Sequence, residues 1–485
     1  MLLFFIFIIY NKLTTLVNRY ILEKFYMSAE EKVIENLEDE NAVLEQSAAD
    51  ENVEMQPAEN KAPDQNLPSE NKKSSKKQMF LIILCWISYL FAYLGRYGFS
   101  ANINLIISDY GVTKSDVGLV VSLFFVAYGA GQIVNGILSK KYNKRVIVPI
   151  SLVASALLNL SIFLGIPFVY IKYLWLLNGF MQSILWPTLI ESLSKHLGQK
   201  KLKVAIIFMS TSTPLGTFIV YGLSAILVSF NVYEYIFLVA TICMSIAGIL
   251  WFLLYNKCKN KKMFKQNIDV LAESSTFTKT KNPKNKLASA LIMFVVVMAF
   301  FAICDNFIKD GLTTWVPTIL KDLYSLPDNI SILLTLLLPL LGTFGSLSAI
   351  LINKKIKNYT LLTVLFFAIC MVLLVLCFVV VKTNFTWGVL IVLFGVAVLC
   401  MHAVNNILTS MVPLLMRDQF NSGLLSGILN GFCYVGSAIS TYGLARIVET
   451  SNSWNAVFVL LCIAAFACIA IGFVQYFVSK KRAKK

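Results

Sequence analysis

The segment that decides the fold is the run MFLIILCWISYLFAYLGRYGFSANINLII, at residues 79–107. This run contains one charged side chain, Arg96. A helix needs about 20 predominantly apolar residues to cross the hydrocarbon core of a bilayer, so the run is long enough to span one. A charge at that depth normally faces a partner or a water-filled cavity. The run therefore predicts a transmembrane helix with a functional cation inside it.

The rest of the chain repeats this pattern. Of its 485 residues 57% are hydrophobic and 14% are charged, whereas soluble domains are about one quarter charged. This composition excludes an ordinary soluble enzyme. The same length rule gives spans at 79–107, 116–138, 146–165, 168–194, 204–229, 233–255, 287–318, 330–352, 359–381, 385–411, 421–447 and 454–478. We therefore predict an all-α membrane protein with twelve transmembrane helices in two pseudo-symmetric six-helix bundles.

The net charge of +16 divides sharply along the chain, since residues 1–70 carry −9 and residues 71–485 carry +25. Within the second segment Lys and Arg crowd into alternate loops, and the opposite loops contain only Lys114, Lys321 and Lys382. In membrane proteins the cytoplasmic loops carry the excess of Lys and Arg. The pattern predicts that both termini are cytoplasmic, in a protein of the plasma membrane. It also explains the basic excess without a nucleic-acid partner.

The same layout predicts five regions. Residues 1–78 form a cytoplasmic tail that is mostly disordered, because its polar composition buries too little apolar area to offset the chain entropy. The other regions are a six-helix bundle at 79–255, a central cytoplasmic loop at 256–286, a second six-helix bundle at 287–478 and a basic cytoplasmic tail at 479–485. The initial apolar run MLLFFIFIIY is too short to span a bilayer. We interpret it as an over-extended translation start, with Met27 as the true one, or else as a membrane-surface anchor.

The two six-span halves also resemble each other in sequence. The segment RYGFSANI, which starts at Arg96, aligns with KDGLTTWV, which starts at Lys309, at an offset of 213 residues. Residues 137–141 and 350–354 match at the same offset. Repeated halves of this kind are typical of alternating-access transporters, whose substrate site lies near the midplane between the halves. Two cations at matched positions suit an anion held on the pseudo-two-fold axis.

One acidic residue complicates this charge count. Asp305 precedes Lys309 by one helical turn. It would either compensate the charge of Lys309 or act as the protonatable group of a symporter, and the spacing leaves both roles open. If Asp305 points inward, the site carries nearer one positive charge than two. Such a site suits a monoanion or a zwitterion better than a dianionic phosphate.

Polar stripes run through two spans of the second half. In the tenth span the stripe consists of His402, Asn405, Asn406 and Thr409. These positions recur at helical spacing and so share one face. In the eleventh span Asn430 and Tyr434 are one turn apart. Such stripes either contact a substrate or form interhelical hydrogen bonds. We take His402, Asn405 and Asn430 as candidate substrate contacts.

Several short motifs carry a family resemblance. They are YLGR at 93–96, AYG at 127–129, GILSKKYNKR at 136–145, GFMQ at 179–182, KDG at 309–311 and GFCYVGS at 431–437. In their order and spacing they resemble the major facilitator superfamily. More closely, they resemble its organophosphate:phosphate antiporter branch, the glycerol-phosphate and hexose-phosphate permeases. The likeness covers essentially all of residues 79–478.

The resemblance implies roles for particular residues. In that family, arginines of spans 1 and 7 grip the phosphoryl group of the substrate, and Arg96 matches the first. Lys309 stands at the second position, where it keeps the charge but loses the bidentate fork of arginine. Tyr93 and Tyr434 match family tyrosines near the site. The loop after span 2, in which Lys replaces a usual Asp, is expected to gate the cytoplasmic side through Lys140, Lys141, Lys144 and Arg145.

These expectations combine into one functional prediction. The chain would be a monomeric alternating-access carrier, embedded in the lipid bilayer, for a small organic anion. An organic phosphate such as a sugar phosphate or glycerol phosphate, exchanged for inorganic phosphate, is the favoured substrate. Two alternatives stay open: a proton-coupled carrier of a neutral or zwitterionic solute, and a membrane sensor with a transporter-like fold. The sequence has no metal-ligand or nucleotide-loop spacing, so it predicts no metal, no cofactor and no enzyme activity.

Overall fold

The structure is a computed structural model that describes residues 68–258, 285–383, 385–416 and 422–483. Most of the predicted tail at 1–78 and of the predicted central loop at 256–286 lies outside these described residues, as does Met27. Within them, every regular element is a helix. An all-helical fold follows from the bilayer, since helices satisfy all backbone hydrogen bonds within one segment.

The first half contains nine helices among the described residues. They are α1 (Pro68–Ala101), α2 (Ile103–Tyr110), α3 (Lys114–Leu138), α4 (Lys144–Phe163), α5 (Phe168–Ser183), α6 (Leu185–His196), α7 (Gln199–Ser210), α8 (Ser212–Ser229) and α9 (Tyr235–Cys258). The first of them begins eleven residues before the predicted first span, so its initial turns belong to the region predicted as tail.

The second half is built in the same way. Its described helices are α10 (Asn285–Tyr324), α11 (Asp328–Thr335), α12 (Leu337–Asn353), α13 (Tyr359–Lys382), α14 (Trp387–Asn406), α15 (Val412–Leu415), α16 (Ser422–Ser451) and α17 (Asn455–Ala483). A π-helical turn, Ile407–Met411, joins α14 to α15.

Ten segments of the described residues are long and apolar enough to cross a membrane. They coincide with ten of the twelve predicted spans. The other two predicted spans, 168–194 and 421–447, are helical as α5 with α6 and as α16. Helices α5 and α6 contain 16 and 12 residues, so each is too short to span the hydrocarbon core alone. Helix α16 is long enough but contains many small and polar residues. The count of twelve transmembrane helices therefore stays a prediction.

Proline explains three breaks between consecutive helices. Helix α5 gives way to α6 at Ile184, α7 to α8 at Thr211 and α11 to α12 at Leu336. In each case a proline follows three residues later, at Pro187, Pro214 and Pro339. A proline lacks an N–H and its ring clashes with the carbonyl four residues before it, so the helical hydrogen-bond ladder is interrupted there. The three longer segments are therefore bent rather than straight.

Small residues let the central helices approach each other closely. A Cβ added at Gly118 of α3 would lie 2.6 Å from the carbonyl oxygen of Thr441 in α16. One added at Gly436 of α16 would lie 2.0 Å from the carbonyl oxygen of Ile303 in α10. Small residues at membrane-helix interfaces permit such backbone contact. Helix α16 therefore packs tightly against α10 of its own half and against α3 of the other half.

We call the end of the bundle that carries the loops with Lys114 and Lys321 the outer end. There Glu449 of α16 caps α3 from the opposite half. Its Oε1 accepts a hydrogen bond from the backbone N–H of Ser115 at 2.7 Å, and its Oε2 accepts one from the Ser115 hydroxyl. A carboxylate at a helix N-terminus is stabilised by the unpaired N–H groups and the helix dipole. This contact therefore ties the two halves together.

Two more polar contacts cross between the halves at the outer end. Lys114 forms an ion pair with Asp322 of α10, and Asn104 Nδ2 donates to Asp328 Oδ1 of α11 at 3.0 Å. The outer latch, as we name it, consists of these contacts and the Ser115–Glu449 contact. Exposed ion pairs contribute about 0–1 kcal/mol each, so the Ser115–Glu449 cap is the stronger element.

The contact between α3 and α16 continues away from the outer latch. A Cβ added at Gly431 would lie 3.0 Å from Ile133 Cδ1. The described contacts between the two helices thus extend from Ser115 and Glu449 at the outer end to Ile133 and Gly431.

Replacing Gly436 by Ala should destabilise the protein, although alanine is the better helix former. Overpacking costs about 1–3 kcal/mol, which exceeds the roughly 1 kcal/mol that Ala gains over Gly in a helix. Gly443→Ala is the matched control on the same helix, because no described atom lies within 4 Å of its added Cβ. Thermal unfolding in detergent should place G436A below the wild type and G443A at or above it. A raised unfolding temperature for G436A would contradict the close packing.

Replacing Glu449 by Gln should loosen the outer end. Hydrogen bonds to a charged group contribute about 1.5–3 kcal/mol, so their weakening should favour separation of the halves by roughly tenfold. A cysteine at Ser122 reports this separation, because the Ser122 hydroxyl donates to the Ala438 carbonyl across the same interface at 2.8 Å. Its reaction with a membrane-impermeant maleimide should become faster in the E449Q background.

Asp116→Asn is the matched control for this experiment. Asp116 caps the same helix end from within its own half, through a capping box with Thr113. Its replacement should weaken the first turn of α3 and leave the labelling rate at position 122 unchanged. Equal labelling rates in the wild-type and E449Q backgrounds would show that Glu449 does not hold the halves together.

Candidate functional site

Arg96 lies in α1 and is enclosed by aromatic rings of the first half. The guanidinium carbon is 4.1 Å from the centroid of the Tyr128 ring, 4.6 Å from that of Tyr93 and 5.4 Å from that of Phe124. The residue is only 4% exposed. Each desolvated cation–π contact contributes up to about 2 kcal/mol. Ring faces therefore stabilise this charge in place of a carboxylate. We call Arg96 and these three rings the aromatic cage.

A hydrogen-bond network fixes the guanidinium within the cage. Arg96 Nε donates to Gln182 Oε1 of α5 at 3.2 Å, and Nη1 donates to the Tyr93 hydroxyl at 3.4 Å. The Gln182 amide in turn donates to Ser155 Oγ at 2.9 Å and to Asn178 Oδ1 at 3.3 Å. Asn178 also donates to the backbone carbonyl beside Arg96, at Gly95. The position of the cation is thus set by three helices rather than by one.

One nitrogen of Arg96 remains available. Nη2 is buried and has no hydrogen-bond partner among the described residues. A buried N–H group without a partner costs about 1–3 kcal/mol, and more when the group is charged. An anionic oxygen placed beside Nη2 would remove this cost. Substrate binding at the cage stays a prediction.

Among the described residues of the second half, Tyr434 contacts the cage. The ring of Tyr434 in α16 packs edge-on against Tyr128, with centroids 4.7 Å apart. The Tyr128 hydroxyl is itself 3.3 Å from that of Tyr89. Because α16 belongs to the other half, the cage lies at the interface between the halves, where the repeat predicts the substrate site.

Lys309 of α10 lies in a different environment. Its Nζ donates to Asn306 Oδ1 at 2.8 Å and lies 3.8 Å from Asp310 Oδ1. The other oxygen of Asp310 accepts hydrogen bonds from Ser437 Oγ of α16 and from Asn306 Nδ2. The ion partner of Lys309 is therefore Asp310, which the sequence argument did not name.

Asp305 is fully buried one turn earlier on α10. Its Oδ2 accepts a hydrogen bond from Asn405 Nδ2 of α14 at 3.2 Å. Its Oδ1 has no hydrogen-bond partner within the described part of the chain. Asn405 Nδ2 also lies 3.2 Å from Asn306 Oδ1, the atom that accepts from Lys309. Asn405 thus joins Asp305 to the surroundings of Lys309.

The polar stripe of the tenth span divides between two neighbours. Asn405 turns towards α10, whereas Asn406 donates to the Ser346 carbonyl of α12 at 3.3 Å. His402 also packs on α12, since its Cδ2 would lie 2.5 Å from a Cβ added at Gly342. Asn430 is partly buried in α16. Substrate contact by His402, Asn405 or Asn430 stays a prediction.

The loop predicted to gate the cytoplasmic side holds its basic residues in two ways. Lys140 and Lys141 are exposed, whereas Lys144 Nζ donates to the Ser139 carbonyl at 3.1 Å. Arg145 Nε donates to the Phe252 carbonyl of α9 at 3.2 Å, and its guanidinium lies 4.5 Å from the Phe252 ring. These contacts fasten α4 to α9 within the first half. The gating role stays a prediction.

Sequence reasoning found part of this site. The structure brings Arg96, Tyr93 and Tyr434 together in and around one cage, as expected from the family motifs. It adds side chains that were not assigned to the site: Phe124, Tyr128, Gln182, Asn306, Asp310 and Ser437. Four of these stand inside motifs that carry the resemblance, so a signal was present; only Phe124 and Asn306 lie outside them.

The chain is similar in sequence to a hexuronate transporter, to a membrane sensor protein and to a probable hexose phosphate transport protein. A hexuronate transporter of Bacillus subtilis (strain 168) is 23% identical over 416 residues, which are 82% of this chain and 94% of that protein. The membrane sensor protein UhpC of Escherichia coli (strain K12) is 30% identical over 103 residues, 21% of this chain and 24% of the sensor. A probable hexose phosphate transport protein of Chlamydia pneumoniae is 25% identical over 146 residues, 30% of this chain and 32% of that protein. The last two matches thus span only about a quarter and a third of those proteins.

The fold also has counterparts among solved structures. The crystal structure of a D-xylose-proton symporter matches with a TM-score of 0.63 at 12% identity, over 82% of this chain and 97% of that chain. This likeness concerns the fold alone. The profile of the Major Facilitator Superfamily matches residues 85–410, a range that includes both Arg96 and Lys309. The chain therefore belongs to the Major Facilitator Superfamily.

Proposed function

We propose that the protein is a secondary transporter that moves a small organic anion across the plasma membrane by alternating access, with Arg96 as the anion anchor. The observation that carries the proposal is the buried Nη2 of Arg96, which has no partner among the described residues. The cage lies at the interface between the halves, so an anion bound there would contact both. We propose that the protein acts as a monomer with both termini in the cytoplasm.

The net charge of the side chains around Arg96 and Lys309 indicates how many negative charges the substrate carries. Arg96 has no carboxylate within ion-pair distance in the described part of the chain, whereas Lys309 is paired with Asp310. The centre thus offers nearer one positive charge than two. This count favours a singly charged group such as the carboxylate of a sugar acid, and the relative matched over most of its length is named a hexuronate transporter.

An organic phosphate exchanged for inorganic phosphate is the second candidate, and the motif resemblance favours it. A shorter match is to a probable hexose phosphate transport protein. Lys309 would contribute the second charge that a dianionic phosphate wants if it left Asp310 on binding. A role as a sensor is a further alternative, because one short match is to a membrane sensor protein.

The contacts between the halves support alternating access. In the observed arrangement the outer latch joins the halves at one end. An anion that contacts Arg96 and a residue of the second half would draw the two halves together around the cage. Ligand binding can only shift such an equilibrium by its difference in affinity between the two states. The contacts made on closure are therefore the ones that drive the cycle.

Arg96→Ala should abolish anion transport. Charge-assisted hydrogen bonds contribute about 1.5–3 kcal/mol, so affinity should fall by roughly 10- to 150-fold. Arg96→Lys should be intermediate, because lysine keeps the charge but loses the planar fork. Counterflow in proteoliposomes measures this with labelled glucuronate, glucose 6-phosphate, glycerol 3-phosphate, inorganic phosphate and glucose.

The control is Lys172→Ala, which removes a cation of α5 that lies over the Tyr173 ring, away from the cage. This variant should transport like the wild type. Among the labelled compounds, preference for glucuronate would select the sugar-acid candidate, and preference for the phosphates would select the exchanger. Unchanged anion flux in R96A, or transport of glucose alone, would contradict the proposal.

A further inference from the structure

We propose that Tyr221 and Asp310 form a second subsite, which binds hydroxyl groups of the transported anion, so that the protein selects polyhydroxylated anions over plain ones of equal charge. This inference rests on the proposed function and adds to it the uncharged part of the substrate. It starts from the Tyr221 side chain of α8, which is 1% exposed and whose hydroxyl has no hydrogen-bond partner among the described residues. Burial of a hydroxyl without a partner is unfavourable, so a ligand that bonds to it gains stability.

Tyr221 lies where the two halves meet. It belongs to a cluster of packed side chains that contains both Tyr93 of the aromatic cage and Leu336 of the second half. Leu336 Cδ1 would lie 3.9 Å from a Cβ added at Gly222, the next residue of α8. The Tyr221 hydroxyl is therefore placed to contact a substrate that is bound between the halves.

Asp310 offers a hydrogen-bond acceptor on the opposite half. Its Oδ2 accepts hydrogen bonds from Ser437 and Asn306, whereas its Oδ1 accepts none within the described part of the chain and lies 3.8 Å from Lys309 Nζ. The carboxylate acts electrostatically on the Tyr221 hydroxyl across the interface. A hydroxyl group of a substrate both donates and accepts hydrogen bonds. It would donate to Asp310 Oδ1 and accept from the Tyr221 hydroxyl, so the two side chains match a polyol in both directions.

Tyr97 links this subsite to the anion anchor. It follows Arg96 in α1 and is half-buried, and its ring stacks on that of Tyr93 with centroids 5.7 Å apart. The Arg96 guanidinium and the Asp310 carboxylate both act electrostatically on its hydroxyl. Arg96 and Asp310 are therefore neighbours of the same side chain, as an anion that contacts both subsites requires.

A second polar atom without a partner lies beside the same face of α8. Asn102 stands between α1 and α2, and its amide donates to Ser224 Oγ at 3.0 Å. Its Oδ1 is buried and has no hydrogen-bond partner among the described residues. Ser224 follows Tyr221 by three residues, so both lie on one face of α8. Buried polar atoms are normally paired. Two that are not, within one turn of α8, mark this seam as a place where added hydroxyl groups find partners.

Hydrogen-bonding groups of this kind would give the carrier its selectivity. A site built to bond a substrate hydroxyl rejects an analogue that lacks it, because the buried groups of the site then stay unpaired. The charged anchor alone cannot make this distinction, since a plain carboxylate or phosphate also pairs with Arg96. The subsite would therefore favour a sugar acid or a sugar phosphate over small anions without hydroxyl groups.

Tyr221→Phe tests the proposal, because it removes the hydroxyl and keeps the ring. Counterflow of labelled glucuronate and, separately, of labelled glucose 6-phosphate is measured in proteoliposomes against two unlabelled competitors. One competitor is the sugar compound itself. The other keeps the ring and the charged group but lacks the hydroxyls: tetrahydropyran-2-carboxylate for glucuronate, and tetrahydropyran-2-ylmethyl phosphate for glucose 6-phosphate. We call the ratio of the two inhibition constants the hydroxyl preference.

In the wild type the hydroxyl preference should be at least about tenfold. In Y221F it should fall by roughly 2- to 13-fold, through weaker binding of the sugar compound alone. The variant should fold normally, because the Tyr221 hydroxyl has no partner to lose among the described residues.

Three further variants separate the subsite from the anion anchor. Arg96→Lys should weaken both competitors alike and leave the hydroxyl preference unchanged, because both carry the charged group. Asp310→Asn should lower the preference, since a neutral acceptor binds a hydroxyl less strongly than a carboxylate does. Tyr110→Phe is the matched control, because the Tyr110 hydroxyl donates to the Ile166 carbonyl at 3.2 Å, near the outer end. It should keep the wild-type preference.

The outcomes separate this inference from the proposed function. If the wild type shows Arg96-dependent counterflow but binds both competitors equally, the subsite fails and the proposed function stands. A hydroxyl preference that is the same in Y221F as in the wild type would also overturn the inference, and would leave the Tyr221 hydroxyl a structural role such as holding a water molecule against Asn102. If neither labelled anion exchanges in the wild type, both proposals fail together.

Discussion

The burial of one guanidinium group is the constraint on which the centre of this protein depends. A charge inside an apolar helix needs compensation, and Arg96 receives it from aromatic faces and from Gln182 rather than from an acid. Ser155 and Asn178 hold Gln182 in turn. Because α4 and α5 must bring these side chains to α1, the packing of the first half is arranged around a single cation.

The two halves compensate their matched cations by different means. In the first half aromatic rings surround Arg96 and no acid among the described residues neutralises its charge. In the second half carboxylates and amides neutralise Lys309 and bind it into a network that extends from Asp305 to Ser437. A repeat that is symmetric in sequence thus compensates its two matched cations by different chemistry, with aromatic rings in one half and with an acid and amides in the other.

Much of the fold could be predicted from composition and length, because the bilayer demands long apolar helices and leaves few alternatives. Arg96 could be singled out because an isolated charge stands out in an apolar span, whereas Tyr93 and Tyr434 were indicated by the family motifs in which they stand. The pairing of Asp310 with Lys309 could not be predicted. Consecutive residues of a helix point about 100° apart, so their side chains do not normally face each other. The long side chain of Lys309 nevertheless reaches it. Helix α16 is rich in small and polar residues and packs against both α3 and α10. Mean hydropathy measures how apolar a segment is and does not report which helices it contacts.

The capping of α3 has a mechanical consequence. Its first turn is held twice, by Thr113 and Asp116 from within its own half and by Glu449 from across the interface. In the proposed cycle the contact with Glu449 is lost when the halves separate, but the capping box of Thr113 and Asp116 stays. The helix end therefore need not unravel or refold during a cycle. Water can then solvate the N–H groups that Glu449 leaves. The first turn of α3 would thus exchange its hydrogen-bond partner while it keeps its helical conformation.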